Sequence, residues 1–337
     1  MIFIYNEEID AEYNLAFEEC LLKHFHTKKN IVCIWQNKKA VIIGRNQNYH
    51  HEVNSVYLDN HGIQCVRRNS GGGAVFHDLG NVNFTFISNL SDDATYKKMT
   101  APIIDCLNKL GVPAKFTGRN DITVHGKKIS GNAQYVYQDR IMHHGTILFD
   151  VNFSMLSACL NPDKRKLITK GIPSVRARVT NIKPLLLKKM NVQEFISLIK
   201  QHFLKQGYES IEVDDTFKGL VQELVNKKYA LDSWNINTGP EWKFSDFTFH
   251  HTEHFEGGLL SISAQILGGR IQSINFHGDF LSRKDPTELN EIFVGAKQTD
   301  LEEILASFKI QDYFGNLTSQ QVMLVFQKIF KKAERNS

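Results

Sequence analysis

Three consecutive glycines within RRNSGGGAVFHDLGN, residues 67–81, lead directly into Val82-Asn83-Phe84-Thr85-Phe86-Ile87, and this succession limits the folds open to the chain. A dinucleotide-binding fold opens a helix with spaced glycines, and a P-loop ends its glycines in Gly-Lys-Ser/Thr before a helix. Here an alternating run of β-branched and aromatic residues follows, which is a strand pattern. An anion held by the run would therefore sit on a loop between strands. Glycine lets backbone N–H groups turn inward and leaves no Cβ in the way of a ligand. Arg67 and Arg68 can supply charge, and Val75-Phe76 adds an apolar pair. The same glycines also read as a loose turn with no ligand.

At 337 residues, 42% hydrophobic and 23% charged, the chain is long enough for one large globular domain and a small one. The net charge of +4 suits an anionic substrate or an acidic partner and is too small to argue for nucleic acid. Five cysteines, Cys20, Cys33, Cys65, Cys106 and Cys159, lack CxxC spacing, which points to reduced thiols and a cytoplasmic location. The N-terminus has no basic start and no apolar run is long enough to span a membrane, so neither export nor membrane anchoring is expected. The adjacent pairs His50-His51, His143-His144 and His250-His251 would face opposite ways in strands, and no zinc site is expected from them.

Asp10 is placed to cap a helix carrying Tyr13, Phe17, Leu21 and Phe25 at helical spacing. Ile31–Trp35 and Ala40–Ile43 flank a polar turn and read as a β-hairpin, with further strands at 64–68 and 82–87. A second helix is expected over 94–110, capped by Asp92 or Asp93 and stopped by Gly111. Asp121–Val124 and Lys127–Ser130 face each other across the two-residue turn His125-Gly126. Residues 161–181 read as a long basic loop, followed by helices over 192–206 and 216–227. Periodicity is lost at Gly239-Pro240, and beyond it 243–249, 259–267 and 270–276 form a meander followed by helices. These features divide the chain into 1–245 and 246–337.

The second chemistry-bearing segment is GRNDITVHGKKISGNAQ, residues 118–134. Lys127 and Lys128 open the return strand of the hairpin and must point to opposite faces, so one of them can face a pocket. Ser130-Gly131 beside them allows close approach of a substrate. Asp121 could bind Mg²⁺ or merely cap the turn. Lys170, Arg176 and Arg178 share one glycine- and proline-containing loop, a composition suited either to a mobile cover over phosphate or to a solvated surface. Cys159 has no evident neighbouring base.

Taken in order, RRNSGGGAVFHDLGNVNFTF, GRNDITVHGKKISGNAQ, HHGTILFD, LNPDKRK and KGIPSVRARVTN resemble the lipoate-protein ligase A family. The resemblance covers about 1–245, and the layout of 246–337 fits the family's small accessory domain. It implies an α+β fold: a large mixed-sheet catalytic domain of the biotin/lipoate ligase type with a small α+β C-terminal domain. It further implies an enzyme that activates lipoate with ATP and Mg²⁺ to lipoyl-AMP, releases pyrophosphate, and transfers the lipoyl group to a lysine of an acceptor. Lys128 would be the catalytic cation, bridging the attacking carboxylate and the α-phosphate.

By the same resemblance Arg68, Gly73, Ala74, Val75, Phe76, Asn120, Asp121, Lys128, Lys170 and Arg176 contact the nucleotide. Arg68, Ser70, Gly71, Gly72, Gly73, Val75, Phe76, His77, Lys128, Gly131 and His144 contact the acyl substrate, and Asp121 is the Mg²⁺ position. Burying four methylenes of the acyl tail against Val75 and Phe76 would contribute about 3 kcal/mol. The implied partners are lipoyl domains of 2-oxo acid dehydrogenase acyltransferase subunits and the glycine cleavage H protein, with lipoate or octanoate as small substrate and a monomeric enzyme. Asn69, Asn132 and Gln134 depart from the family pattern. The alternative is an ATP-independent octanoyl or lipoyl transferase with a cysteine nucleophile, for which Cys159 would be the candidate. A third reading is a non-catalytic module that binds adenylate or an acyl-protein.

Overall fold

The run Ile31–Trp35, IVCIW, is apolar throughout and every residue in it is buried, as befits a strand covered on both faces. In the computed structural model the described residues are 1–91, 93–161, 178–236 and 247–335. The strands, in chain order, are β1 Ile2–Tyr5, β2 Ile31–Trp35, β3 Ala40–Ile43, β4 Gln64–Arg67, β5 Val75–His77, β6 Asn81–Asn89, β7 Lys115–Thr117, β8 Asp121–Val124, β9 Lys127–Tyr137, β10 Arg140–Leu148, β11 Glu209–Ser210, β12 Phe249–Phe255, β13 Gly258–Leu267 and β14 Arg270–Gly278.

By contacts the chain forms two compact units, Met1–Ile42 with Glu52–Val66 and Val75–Ala230, and Ile43–His51 with Arg67–Ala74 and Leu231–Ser337. These units do not follow a single cut in the chain. Two short early segments pack with the C-terminal part, while the expected cut at 245/246 lies outside the described residues.

The first unit is built on an eight-stranded sheet in the order β11-β1-β2-β6-β10-β9-β8-β7. It is mixed: β1 runs parallel to β2 and β11, and the other pairings are antiparallel. One face packs Phe84, Phe86, Val32 and Ile34 against Ile103 and Leu107 of helix Tyr96–Lys109 and Phe195, Ile199 and Phe203 of helix Val192–Lys205. Each such side chain contributes about 1.5–3 kcal/mol when fully buried. The opposite face carries helix Ala11–Lys23, whose first amides, those of Glu12 and Tyr13, donate to the Asp10 carboxylate as expected.

The expected hairpin of β2 and β3 does not form. β2 lies between β1 and β6 in the large sheet, whereas β3 lies between β4 and β5 in a separate three-stranded sheet. Both strands are apolar at every position, so neither carries an alternation that would specify its partner. The second helix is capped by Thr95, whose hydroxyl accepts from the Lys98 amide, in place of Asp92 or Asp93. The second unit holds the meander β12-β13-β14, packed on helix Ser319–Arg335 through Val322, Val325, Phe326, Ile329 and Phe330. Its first strand is Phe249–Phe255, which the expected 243–249 meets at Phe249, and 243–246 lie outside the described residues.

Candidate active site

The β8–β9 hairpin turns at His125 (φ 48°) and Gly126 (φ 77°), two successive positive φ angles that the right-handed twist of the paired strands favours. Next to this turn the register is irregular. Val124 pairs with Lys127 and Thr123 with Lys128, but Ile122 pairs with Ser130 and Asp121 with Gly131, so Ile129 is an extra residue on β9. Simple alternation would put Lys128 and Gly131 on opposite faces. The bulge puts them on the same face, because their partners Thr123 and Asp121 are two apart.

As a result the Lys128 ammonium lies over Gly131, 2.8 Å from Asp121 Oδ1. A Cβ on Gly131 would come 2.9 Å from Lys128 Nζ and 3.0 Å from Cε, so only glycine leaves that ammonium its place. The Lys128 backbone is pinned on its other edge, where its carbonyl accepts from the Thr180 amide at 3.0 Å beside a bridge to Val179. Lys127 is exposed. The Asp121 Oδ1 atom is buried and has the ammonium as charge partner without an aligned hydrogen bond.

His144, on β10, is 8% exposed and sets Nδ1 at 3.2 Å from both carboxylate oxygens of Glu18. Glu18 also accepts from the Thr85 hydroxyl, which in turn accepts from Trp35 Nε1 at 2.9 Å. Glu18, Thr85 and Trp35 are additional to the residues expected from the sequence. The available signal was Glu18 on the same side of its helix as Leu15 and Leu22, where a carboxylate is buried only with partners. Asn120 is turned to structure: its side chain donates to the Asn132 carbonyl at 2.7 Å, and Asn132 Nδ2 returns a bond to the Asn120 carbonyl at 2.9 Å. Val75, Phe76 and His77 pair with Ile42, Val41 and Ala40, and the His77 ring packs edge-on to Trp35 with Nδ1 3.1 Å from the Asn37 amide.

In the second unit the glycine run has a different reason for its composition from the one expected. The Gly71 and Gly72 amides donate to the carbonyls of Ser282 and Phe280, at 3.3 and 3.0 Å. A Cβ on Gly71 would lie 2.5 Å from the Phe280 carbonyl oxygen, and Gly72 has φ 92°. Close backbone packing on 280–282 therefore demands glycine at 71 and the positive φ favours it at 72, and their amides are not turned toward an anion. Gly73 is exposed with nothing near its missing Cβ.

Arg68 folds back on its own loop, donating to Ser70 Oγ and the carbonyls of Gly71 and Gly73 at 2.7–3.1 Å. Arg67 is 1% exposed and gives its guanidinium to the carbonyls of Gly44, Arg45, Gln47, Trp234 and Asn235, so it holds backbone rather than supplying charge to a ligand. Lys170 and Arg176 lie outside the described residues, and Arg178 is exposed.

All five cysteines are free. Burial pushes the Cys159 thiol up to about 11, which disfavours the thiolate that a nucleophile needs. Among the described residues no three His, Cys, Asp or Glu side chains converge as a metal cluster, and no helix is long and apolar enough to cross a membrane.

Comparison with known proteins places this geometry in a family context. The family described as lipoyl protein ligase A/B catalytic domain matches residues 10–204, and that described as bacterial lipoate protein ligase C-terminus matches 245–326. Lipoate-protein ligase LplJ of Bacillus subtilis is 36% identical over 336 residues, covering 96% of this chain and 99% of that one. Among solved structures, P. falciparum LipL1 in complex with lipoate has a TM-score of 0.76 at 26% identity, covering 91% of this chain and 94% of that one. A structure of a bi-partite lipoate protein ligase and its E2 lipoyl domain from Thermoplasma acidophilum has a TM-score of 0.62 at 28% identity, covering 70% and 95%. Lipoate-protein ligase A bound with ATP has a TM-score of 0.61 at 27% identity, covering 70% and 98%.

Proposed function

The chain belongs to the lipoate-protein ligase A family, and on that premise we propose how its residues divide the work. It is a lipoate-protein ligase, acting on lipoate and ATP and modifying lipoyl-domain acceptors. A carboxylate oxygen of lipoate attacks the α-phosphorus of ATP, the bond to pyrophosphate breaks, and lipoyl-AMP forms. The amine of an acceptor lysine then attacks the acyl carbon, AMP leaves, and the nitrogen gives up its proton.

The observation that carries this reading is the Lys128 ammonium held over Gly131 by Asp121. The two reacting groups are both anionic, and a fixed cation between the carboxylate and the α-phosphate offsets their repulsion and stabilises charge in the transition state. His144 and its Glu18 partner, with Val75, Phe76 and His77, are assigned to the acyl group. The resemblance remains the basis for assigning Arg68, Ser70, Gly73 and Ala74 to substrate contacts, with Gly71 and Gly72 holding their turn. On the same basis Asn120, Lys170 and Arg176 are kept as nucleotide contacts. Mg²⁺ is commonly bound by one or two carboxylates together with substrate phosphates, and Asp121, the carboxylate beside Lys128, is the residue we assign to it. The ion would neutralise charge on the departing pyrophosphate.

Mass spectrometry of acceptor domains incubated with enzyme, ATP, Mg²⁺ and lipoate tests the assignment. The expected product is one lipoyl adduct on lysine, dependent on ATP, at an unchanged rate in Cys159→Ala. An adduct formed without ATP and lost in Cys159→Ala would replace the ligase with the acyltransferase. We assign acyltransferase subunits of 2-oxo acid dehydrogenases and the glycine cleavage H protein as the acceptors, and the two are separated by using both in that assay. A second test addresses Lys128 through its neighbour. Gly131→Ala should slow lipoate-dependent ATP–pyrophosphate exchange by about tenfold to a hundredfold, because a displaced ammonium no longer meets the reacting groups. Its unfolding midpoint should move little. Exchange at the parental rate would show that the position of the ammonium over Gly131 is unimportant.

A further inference from the structure

Asn83 sits on β6 between two register partners, Trp35 on β2 and Thr146 on β10. The β9–β10 pairing ends at Gly145 and Asn132, and beyond it the Thr146 hydroxyl takes the Gly131 amide at 3.2 Å. One row across the sheet therefore reads Trp35, Asn83, Thr146, Gly131, with the Lys128 ammonium over its last member. Asn83 is 1% exposed. Its Oδ1 accepts from Asn81 Nδ2 at 2.8 Å, while its own Nδ2, like Asn81 Oδ1, is buried with no hydrogen-bond partner among the described residues. A buried donor without an acceptor is costly, and folded proteins retain few of them without a reason. The neighbouring indole cannot accept, since Trp35 Nε1 is itself a donor and is spent on Thr85.

We propose that Asn83 selects the acyl acid, its amide donating to the sulfur end of lipoate while the carboxylate lies at Lys128. The inference rests on the ligase reading above. Asn83 stands two strand spacings, about 10 Å, from Gly131, which is the reach of an extended eight-carbon acid lying across the strands. The dithiolane sulfurs are hydrogen-bond acceptors, if weak ones, and the saturated tail of octanoate has none. Octanoate therefore buries the Asn83 donor unpaired, and lipoate does not.

The test is the ratio of kcat/KM for lipoate and octanoate in ATP–pyrophosphate exchange, measured on the full chain. The parental enzyme should favour lipoate by about tenfold or more, and Asn83→Leu, of similar bulk without the donor, should lose about tenfold of that preference. Asn83→Ala reads the same ratio should the leucine variant fail to fold. A parental ratio near one overturns the proposal. So does a preference that survives both substitutions, or a loss shared equally by the two acids, as mere packing would give. If no acid supports exchange in the parental enzyme, the ligase reading fails first and takes the inference with it.

Discussion

Lys128→Ala should lower lipoate-dependent ATP–pyrophosphate exchange by at least about a hundred- to a thousandfold, with Lys127→Ala leaving it unchanged. The two lysines are neighbours in sequence and alike in charge, so the contrast tests position rather than basicity. Lys127 is exposed, whereas Lys128 is anchored on Asp121 at 2.8 Å with its backbone bonded to Thr180. Removing a single preorganised group that stabilises transition-state charge commonly costs about a hundred- to a thousandfold in rate. Here the reacting pair carries like charge and depends on that cation all the more. Substrate binding should weaken much less than kcat falls, because the ammonium acts most strongly as charge develops. Full exchange by Lys128→Ala would remove the residue from the chemistry, and equal losses in both variants would reduce the effect to net charge.

Arg67→Ala should destabilise the second unit by on the order of 3–5 kcal/mol. The guanidinium is 1% exposed and donates to five carbonyls, and alanine would withdraw that donor from all of them at once. Domains are stable by only about 5–15 kcal/mol, so much of the margin disappears. Arg67→Lys should rescue little, since an ammonium has three donors and lacks the planar fork. Urea unfolding of the full chain, with limited proteolysis to locate the change within the second unit, measures both variants. A change within about 1 kcal/mol would mean that the carbonyls find other partners.

How much of this was legible in the sequence depended on how local its cause was. The His125-Gly126 turn and the Asp10 cap each follow from a few adjacent residues, and both occur where expected. The need for glycine at 71 and 72 was legible, but its reason was not, because the carbonyl they pack against belongs to Phe280. In the same way Arg67 and Arg68 read as ligand cations, whereas the carbonyls that engage Arg67 come from segments near 45 and 235. The Ile129 bulge left no mark in the pattern, yet it decides which face Lys128 occupies. Alternation assumes unbroken pairing, and one unpaired residue reverses its parity. β2 and β3 failed as a hairpin for a related reason: uniformly apolar strands satisfy more than one partner.

The interleaving of the two compact units also sets a schedule for synthesis. Segments 43–51 and 67–74 leave the ribosome early, but the partners of Gly72 and Arg67, at Phe280 and at Trp234 and Asn235, come much later. At about 5–20 residues per second, the roughly two hundred residues between Gly72 and Phe280 take some ten to forty seconds to make. Through that interval a guanidinium destined for the interior stays in water and the glycine run remains unclamped. The stretch that most resembles a finished binding loop is thus among the last parts of the enzyme to take its final form.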